Sequence, residues 1–222
     1  MKSAVNLFFD LDGTLTDPRE GIVRCLQYAL QKLGLPRPAD AELERYIGPP
    51  LRQNFASLLQ SDNPNSISHA VSLYRERFAT IGLFENCVYP GIEDALTALQ
   101  RENVHLYVVT GKPTVFATQI LDHFGLSRFF RRTYGSELDG THTNKGELIG
   151  HVLVRESIAP GDAIMIGDRD LDVRGALANE VTPLGVLWGY GSRQELVDAG
   201  ASLLCERQEL LVEMLTSRLF SA

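Results

Sequence analysis

Val5-Asn6-Leu7-Phe8-Phe9-Asp10-Leu11-Asp12-Gly13-Thr14-Leu15-Thr16 is the stretch on which the fold turns. Its first half is a short, nearly continuous apolar run, the pattern of a parallel strand buried on both faces. Its second half sets two carboxylates two residues apart where that strand ends. Gly13 then lets the backbone turn sharply. An isolated Asp-Gly-Thr is most often only a turn. Whether this one is more depends on the residues at the ends of the other apolar runs.

Residues 104–109, 163–166 and 182–187 are further short runs rich in Val, Leu and Ile. Helical patterns at 92–100, 115–124, 147–156 and 171–178 alternate with them. The alternation predicts an α/β fold, a doubly wound parallel sheet. In such sheets ligands bind beyond the carboxyl ends of the strands. The second run ends in Thr110-Gly111-Lys112. The third ends in Gly167-Asp168-Arg169-Asp170-Leu171-Asp172, and Lys145 stands at the start of a helix between them. Four polar clusters are thus expected on one rim of the sheet.

Residues 17–85 break the pattern. They hold eight basic and eight acidic side chains, so the whole net charge of −7 lies elsewhere. Asp17-Pro18-Arg19-Glu20 reads as a helix start with Asp17 at the N-cap. Ile22, Leu26, Leu30 and Leu33 come next at helical spacing, and Gly34 stops the helix. Leu43 and Ile47 mark a shorter helix, Pro49-Pro50 opens a third, and Asn65-Ser66 can cap a fourth. The expectation is a four-helix module at 17–85 inserted into a core made of 1–16 and 86–222.

The balance of 21 Lys+Arg against 28 Asp+Glu lacks the basic excess of a nucleic-acid binder. No apolar run approaches the roughly 20 residues of a membrane span. The first residues lack the pattern of a signal peptide, so a cytoplasmic protein is expected. Cys25, Cys87 and Cys205 show no metal-ligand spacing and read as inert thiols. Lys112 reads as a solvated loop charge, and residues 188–191 as a loop at the sheet edge, a candidate neighbour of the rim.

Taken in order, Asp10-Leu11-Asp12-Gly13-Thr14, Thr110, Lys145 and Gly167-Asp168-Arg169-Asp170-Leu171-Asp172 resemble the four motifs of haloacid dehalogenase-like (HAD) hydrolases. The resemblance covers essentially the whole chain, a helical cap after the first motif included. Leu15-Thr16-Asp17-Pro18, Ile47-Gly48-Pro49-Pro50-Leu51, Thr110-Gly111-Lys112-Pro113 and Gly189-Tyr190-Gly191-Ser192 resemble the branch described as 5′-nucleotidase-like or phosphoglycolate-phosphatase-like. Arg169 stands where phosphoglycolate phosphatases usually carry Ser or Thr, which tilts the resemblance toward the nucleotidase-like group.

The resemblance implies a Mg²⁺-dependent phosphomonoester hydrolase acting through an aspartyl-phosphate on a small phosphate ester, a nucleoside 5′-monophosphate or phosphoglycolate. Asp10 is the candidate nucleophile. Asp12 is the candidate general acid and base, and Lys145 supplies positive charge to both nucleophile and phosphoryl oxygens. Thr110 and the Gly111 N–H would donate to the phosphate. Oxygen-only ligands suit Mg²⁺. The resemblance assigns it the Asp10 carboxylate, the Asp12 main-chain carbonyl and the Asp168 carboxylate, with Asp172 behind them orienting a metal-bound water or Lys145. Arg52, in the inserted module, is a candidate to reach over the site and bind a substrate carboxylate or other polar group. The competing readings are a sugar-phosphate mutase, which would share Asp10 and Asp12, and a non-catalytic phosphoester-binding regulator. A monomer or homodimer is expected, with no nucleic-acid or membrane partner.

Overall fold

The computed structural model describes residues 4–220. Strand β1 (Val5–Phe9) takes the middle of the main sheet because Leu7, Phe8 and Phe9 are wholly buried. A strand apolar on successive residues must be covered on both faces. After β2 (Thr16–Asp17) the chain passes through α1 (Arg19–Lys32), α2 (Asp40–Leu43), α3 (Leu51–Leu59) and α4 (Pro64–Arg77). It then runs β3 (Cys87–Val88), α5 (Ile92–Leu99), β4 (Val104–Pro113), α6 (Thr114–His123), β5 (Arg132–Ser136) and α7 (Lys145–Glu156). The remainder is β6 (Ala163–Gly167), α8 (Asp170–Leu177), β7 (Thr182–Val186), α9 (Arg193–Asp198), β8 (Leu204–Cys205) and α10 (Leu211–Phe220).

The main sheet has six strands in the order β5-β4-β1-β6-β7-β8. It is the doubly wound α/β sheet expected, every pairing in it parallel. Phe9 stands opposite Val108 on one side and Ile166 on the other. This register brings the carboxyl ends of β1, β4 and β6 level, and Asp10 N continues the ladder to Ile166 O at 2.9 Å. The residues just past each strand therefore emerge on one rim.

Two strands were not legible as apolar runs. Strand β5 is the polar edge sequence Arg-Thr-Tyr-Gly-Ser, and β8 is two residues long. Strand β4 also runs past the expected residue 109 to Pro113. Val109 faces Tyr134 and Pro113 faces Ser136, so four steps along β4 are matched by two along β5. The surplus bulges out as Thr110-Gly111-Lys112, which is how a strand end re-aims side chains.

The chain divides into two compact units, one running to Asp17 and resuming at Val88, the other Pro18–Cys87. In the second unit Leu26, Leu30, Leu43, Ile47, Phe55, Tyr74 and Phe78 are buried together on the helices' inner faces. Tyr74 meets Phe55 edge-on at 6.3 Å and stacks on Phe78 at 5.3 Å. Two local expectations are corrected here. Asp17 is not the N-cap of α1. Pro18 occupies that position without a side-chain hydrogen bond, and Asp17 accepts from the Tyr190 hydroxyl instead. The fourth helix begins earlier than Asn65-Ser66 suggested, since Asn63 accepts from the backbone N–H groups of both residues.

Helix α1 lies close against the π-helical turn Phe78–Gly82 that ends α4. Gly21 N donates to Glu85 O at 2.9 Å, and a Cβ on Gly21 would collide with Gly82 O. Gly21→Ala is therefore expected to cost about 1–3 kcal/mol by forcing the backbones apart. Gly161→Ala, at a position with nothing within 4 Å, should stay within about 0.5 kcal/mol of wild type. Urea unfolding of both variants checks this, and equal stability would remove the close-approach argument.

Candidate active site

Asp10 leaves the end of β1 and is buried, as are Thr110, Lys145, Asp168 and Asp172. Lys145 reaches this rim because Asn144 caps α7, its side chain accepting from Glu147 N at 3.1 Å. Helix α7 can approach α8 closely, for a Cβ on Gly175 would press on Gly146 N and Lys145 Cγ. Asn179 ties the two helices by donating to Gly146 O and Gly175 O, each at 2.8 Å. The Lys145 ammonium ends 2.7 Å from Asp172 Oδ1, 3.1 Å from Asp10 Oδ1 and 3.0 Å from the Val109 carbonyl it donates to.

Asp168 comes directly after β6 and is fully buried. Tyr190 N donates to its Oδ2 at 2.8 Å, and Thr14 Oγ1 lies 3.5 Å from its Oδ1. The enclosing backbone is glycine by necessity. A Cβ on Gly13 or Gly189 would run into the Asp168 side chain, and Gly13 also has φ +83. Asp172 Oδ2 accepts from Arg169 N at 3.1 Å while its Oδ1 faces Lys145.

The carboxylates of Asp10, Asp168 and Asp172 come within 4.8 Å of one another. Burial pushes the Asp168 carboxyl well above the usual carboxylate range, and the charges of Asp172 and Asp10 push it further. Burial likewise lifts Asp172 to about 6, against the opposing pull of Lys145. Burial pulls the Lys145 ammonium down, but Asp10 and Asp172 more than reverse this and hold it above the usual lysine value. Three buried carboxylates around one ammonium are an electrostatic surplus that a hard divalent cation would relieve. The donor set therefore fits Mg²⁺. Both Asp172 oxygens already face Lys145 and Arg169 N, which leaves Asp10 and Asp168 as the better-placed side-chain oxygens.

Asp12 points elsewhere. Its Oδ2 lies 2.5 Å from Lys112 Nζ, and the two side chains are only 12% and 6% exposed. Its Oδ1 is buried without a hydrogen-bond partner among the described residues. Lys112 is thus no solvated loop charge. The bulge after Val109 turns it inward, and Lys112 N donates to Thr110 Oγ1 at 3.3 Å. Ser136 Oγ donates to Gly111 O at 2.8 Å, fixing the peptide that carries the candidate phosphate donors.

The structure brings Asp10, Lys145, Asp168 and Asp172 into one cluster, with Asp12 and Thr110 on neighbouring stretches of the same rim. Arg52 belongs to the other unit, where it donates to Ser68 Oγ at 3.1 Å. Sequence reasoning misjudged Lys112 as a solvated charge, and it placed the loop after β7 beside the rim without saying what the loop holds. In that loop Trp188 Nε1 donates to Thr14 O at 3.0 Å, and Tyr190 binds Asp168 by its N–H and Asp17 by its hydroxyl. The spacing of Gly189 and Gly191 was the available signal. Such glycines mark close approach of backbone to something, here Asp168.

The chain is similar to several known proteins in sequence and fold. A family model described as haloacid dehalogenase-like hydrolase matches residues 7–186. A Pseudomonas aeruginosa protein named 5′-nucleotidase is 51% identical over 191 residues, 86% of each chain. The Mycobacterium tuberculosis protein named tyrosine-protein kinase PtkA is 34% identical over 86% of this chain and 65% of its own length. The crystal structure of a predicted phosphatase from Clostridium acetobutylicum superposes with a TM-score of 0.93. It is 40% identical and covers 97% of this chain and 100% of that one. No helix among the described residues is long and apolar enough to cross a membrane. With the family model spanning residues 7–186, the chain belongs to the haloacid dehalogenase-like hydrolases.

Proposed function

We propose that the protein hydrolyses nucleoside 5′-monophosphates with Mg²⁺, through a phosphorylated Asp10. The observation that carries this is the Asp10 carboxylate, buried at a strand end and facing the Lys145 ammonium at 3.1 Å. That pair sets a cation beside the nucleophile in a site whose other acids are pushed toward neutrality. Mg²⁺, held by the Asp10 and Asp168 carboxylates and the Asp12 carbonyl, would supply charge that neutralises the phosphoryl oxygens. Asp10 attacks phosphorus, and Asp12 gives its proton to the departing oxygen. Asp12, now a carboxylate, then takes a proton from the water that cleaves the aspartyl-phosphate, and both residues return to their starting states. Thr110 and the Gly111 N–H hold the phosphate, and Lys145 balances its charge. Asp172 orients Lys145. The likeness to the protein named 5′-nucleotidase supports the nucleotide as substrate.

Phosphate release from nucleoside 5′-monophosphates, phosphoglycolate and hexose phosphates is the direct test. Wild type with Mg²⁺ is expected to favour the nucleotides, and Asp10→Asn to release none. Substrate consumed without matching inorganic phosphate would point to a mutase.

Proton linkage gives a test without turnover. Asp168 and Asp172 are both raised, so each binds a proton more readily folded than unfolded. The stability each contributes is present below the ordinary carboxylate pKa. It is lost as pH climbs through the folded value, about 6 for Asp172. In EDTA, wild type should therefore lose melting temperature relative to Asp168→Asn as the pH rises above the ordinary carboxylate range, because Asp168 binds its proton more readily folded than unfolded. Added Mg²⁺ should raise the wild-type melting temperature more at about pH 7.5 than at about pH 5.5, and should not raise that of Asp168→Asn. Equal Mg²⁺ stabilisation of wild type and Asp168→Asn would count against the metal assignment.

A further inference from the structure

The contact between Lys112 and Asp12 gives the two oxygens of Asp12 different surroundings. Oδ2 faces the Lys112 ammonium at 2.5 Å, and Oδ1 is buried with no hydrogen-bond partner among the described residues. An ammonium has donors and no acceptor, so a proton on Oδ2 would point at a cation. We propose that Lys112 is a positioning residue for proton transfer: it confines the transferable proton of Asp12 to Oδ1 and stabilises the carboxylate left when that proton departs. The inference rests on the reading of Asp12 as general acid and base.

The placement of Lys112 is built into the fold. It sits in the two-residue surplus of β4 over β5, and the flanking peptides are pinned. Lys112 N donates to Thr110 Oγ1, Gly111 O accepts from Ser136 Oγ, and Thr114 Oγ1 accepts from Gly135 N. A Cβ on Gly135 would strike Lys112 O, so β5 lies directly against the lysine's own backbone. A side chain delivered this way reaches a nearly buried position, 6% exposed, where an ammonium needs an acidic partner.

The charges balance through the cycle. Protonated Asp12 still accepts from Lys112 at Oδ2, since a carboxylic acid keeps acceptor capacity on its carbonyl oxygen. As the ester P–O bond breaks and the Asp10–P bond forms, the Oδ1 proton passes to the departing alkoxide. Asp12 becomes an anion beside a cation already in place. In the second half the same anion takes a proton from water at Oδ1 while the water oxygen bonds phosphorus and Asp10 leaves. Lys112 keeps its own proton throughout.

Leaving-group dependence tests this. A nucleoside alkoxide needs a proton to depart, whereas 2,4-dinitrophenolate does not. Values of kcat/KM, which report the phosphoryl-transfer half, are measured for a nucleoside 5′-monophosphate and for 2,4-dinitrophenyl phosphate. Asp12→Asn, Lys112→Met and Lys112→Arg are compared with wild type. Lys112→Met is expected to lose about 10–100-fold more on the nucleotide than on the dinitrophenyl ester. Lys112→Arg, which keeps the charge, should recover most of that difference. The double variant Asp12→Asn/Lys112→Met should be no more selective than Asp12→Asn alone, which keeps the test open if one single variant folds poorly. Equal losses on both esters for Lys112→Met, with the selective loss intact in Asp12→Asn, overturn the role of Lys112 alone. Equal losses on both esters for Asp12→Asn overturn the general-acid reading itself, and the inference with it.

Discussion

One ammonium, Lys145, stands among carboxylates that could not otherwise share a buried space. Asp10 and Asp172 lie within 3.1 Å of it, and Asp168 is close behind them. Charges this near one another in a poorly solvated site interact strongly. The rest of the rim is arranged around that constraint. Helix α7 must start at Lys145, α8 must approach α7 through glycines, and β1, β4 and β6 must end level. A shift of any of these elements would leave a buried charge unpaired, a penalty larger than a typical packing defect.

Asp168 is held differently from Asp10. Its carboxylate is enclosed by backbone rather than by counter-charge, with Tyr190 N as a fixed donor and Gly13 and Gly189 in contact. Enclosure without neutralisation keeps the acid raised, which disfavours the anion in the metal-free protein. This is a cost to folding at a cluster that could hold a cation. Stability and affinity are thus opposed at the same residue.

Much of this was legible in the sequence, for definite reasons. The buried strands β1, β4, β6 and β7 are apolar runs, so they announce themselves, and the residues just beyond them are located by position. Asp10, Asp168 and Asp172 were found that way and Lys145 from the start of a helix, and the four come together in space. Strand β5 escaped because an edge strand needs only one covered face, and β8 because two residues carry no pattern. Lys112 was misjudged because its inward turn depends on the β4 bulge, a mismatch between two strands, one of which could not be seen. Asp17 was misread for a similar reason. Its cap role was a local inference, and the hydroxyl that takes it up belongs to Tyr190, far along the chain.

Tyr190 shows why the loop after β7 belongs with the site and not merely with the edge of the sheet. Its backbone N–H fixes Asp168, and its hydroxyl fixes Asp17, the last residue of the core unit before the chain departs into the helices. Trp188 adds a third tie, to the Thr14 carbonyl between the paired acids and that exit. The segment Thr14–Asp17 is thereby held by the same loop that encloses the Asp168 carboxylate.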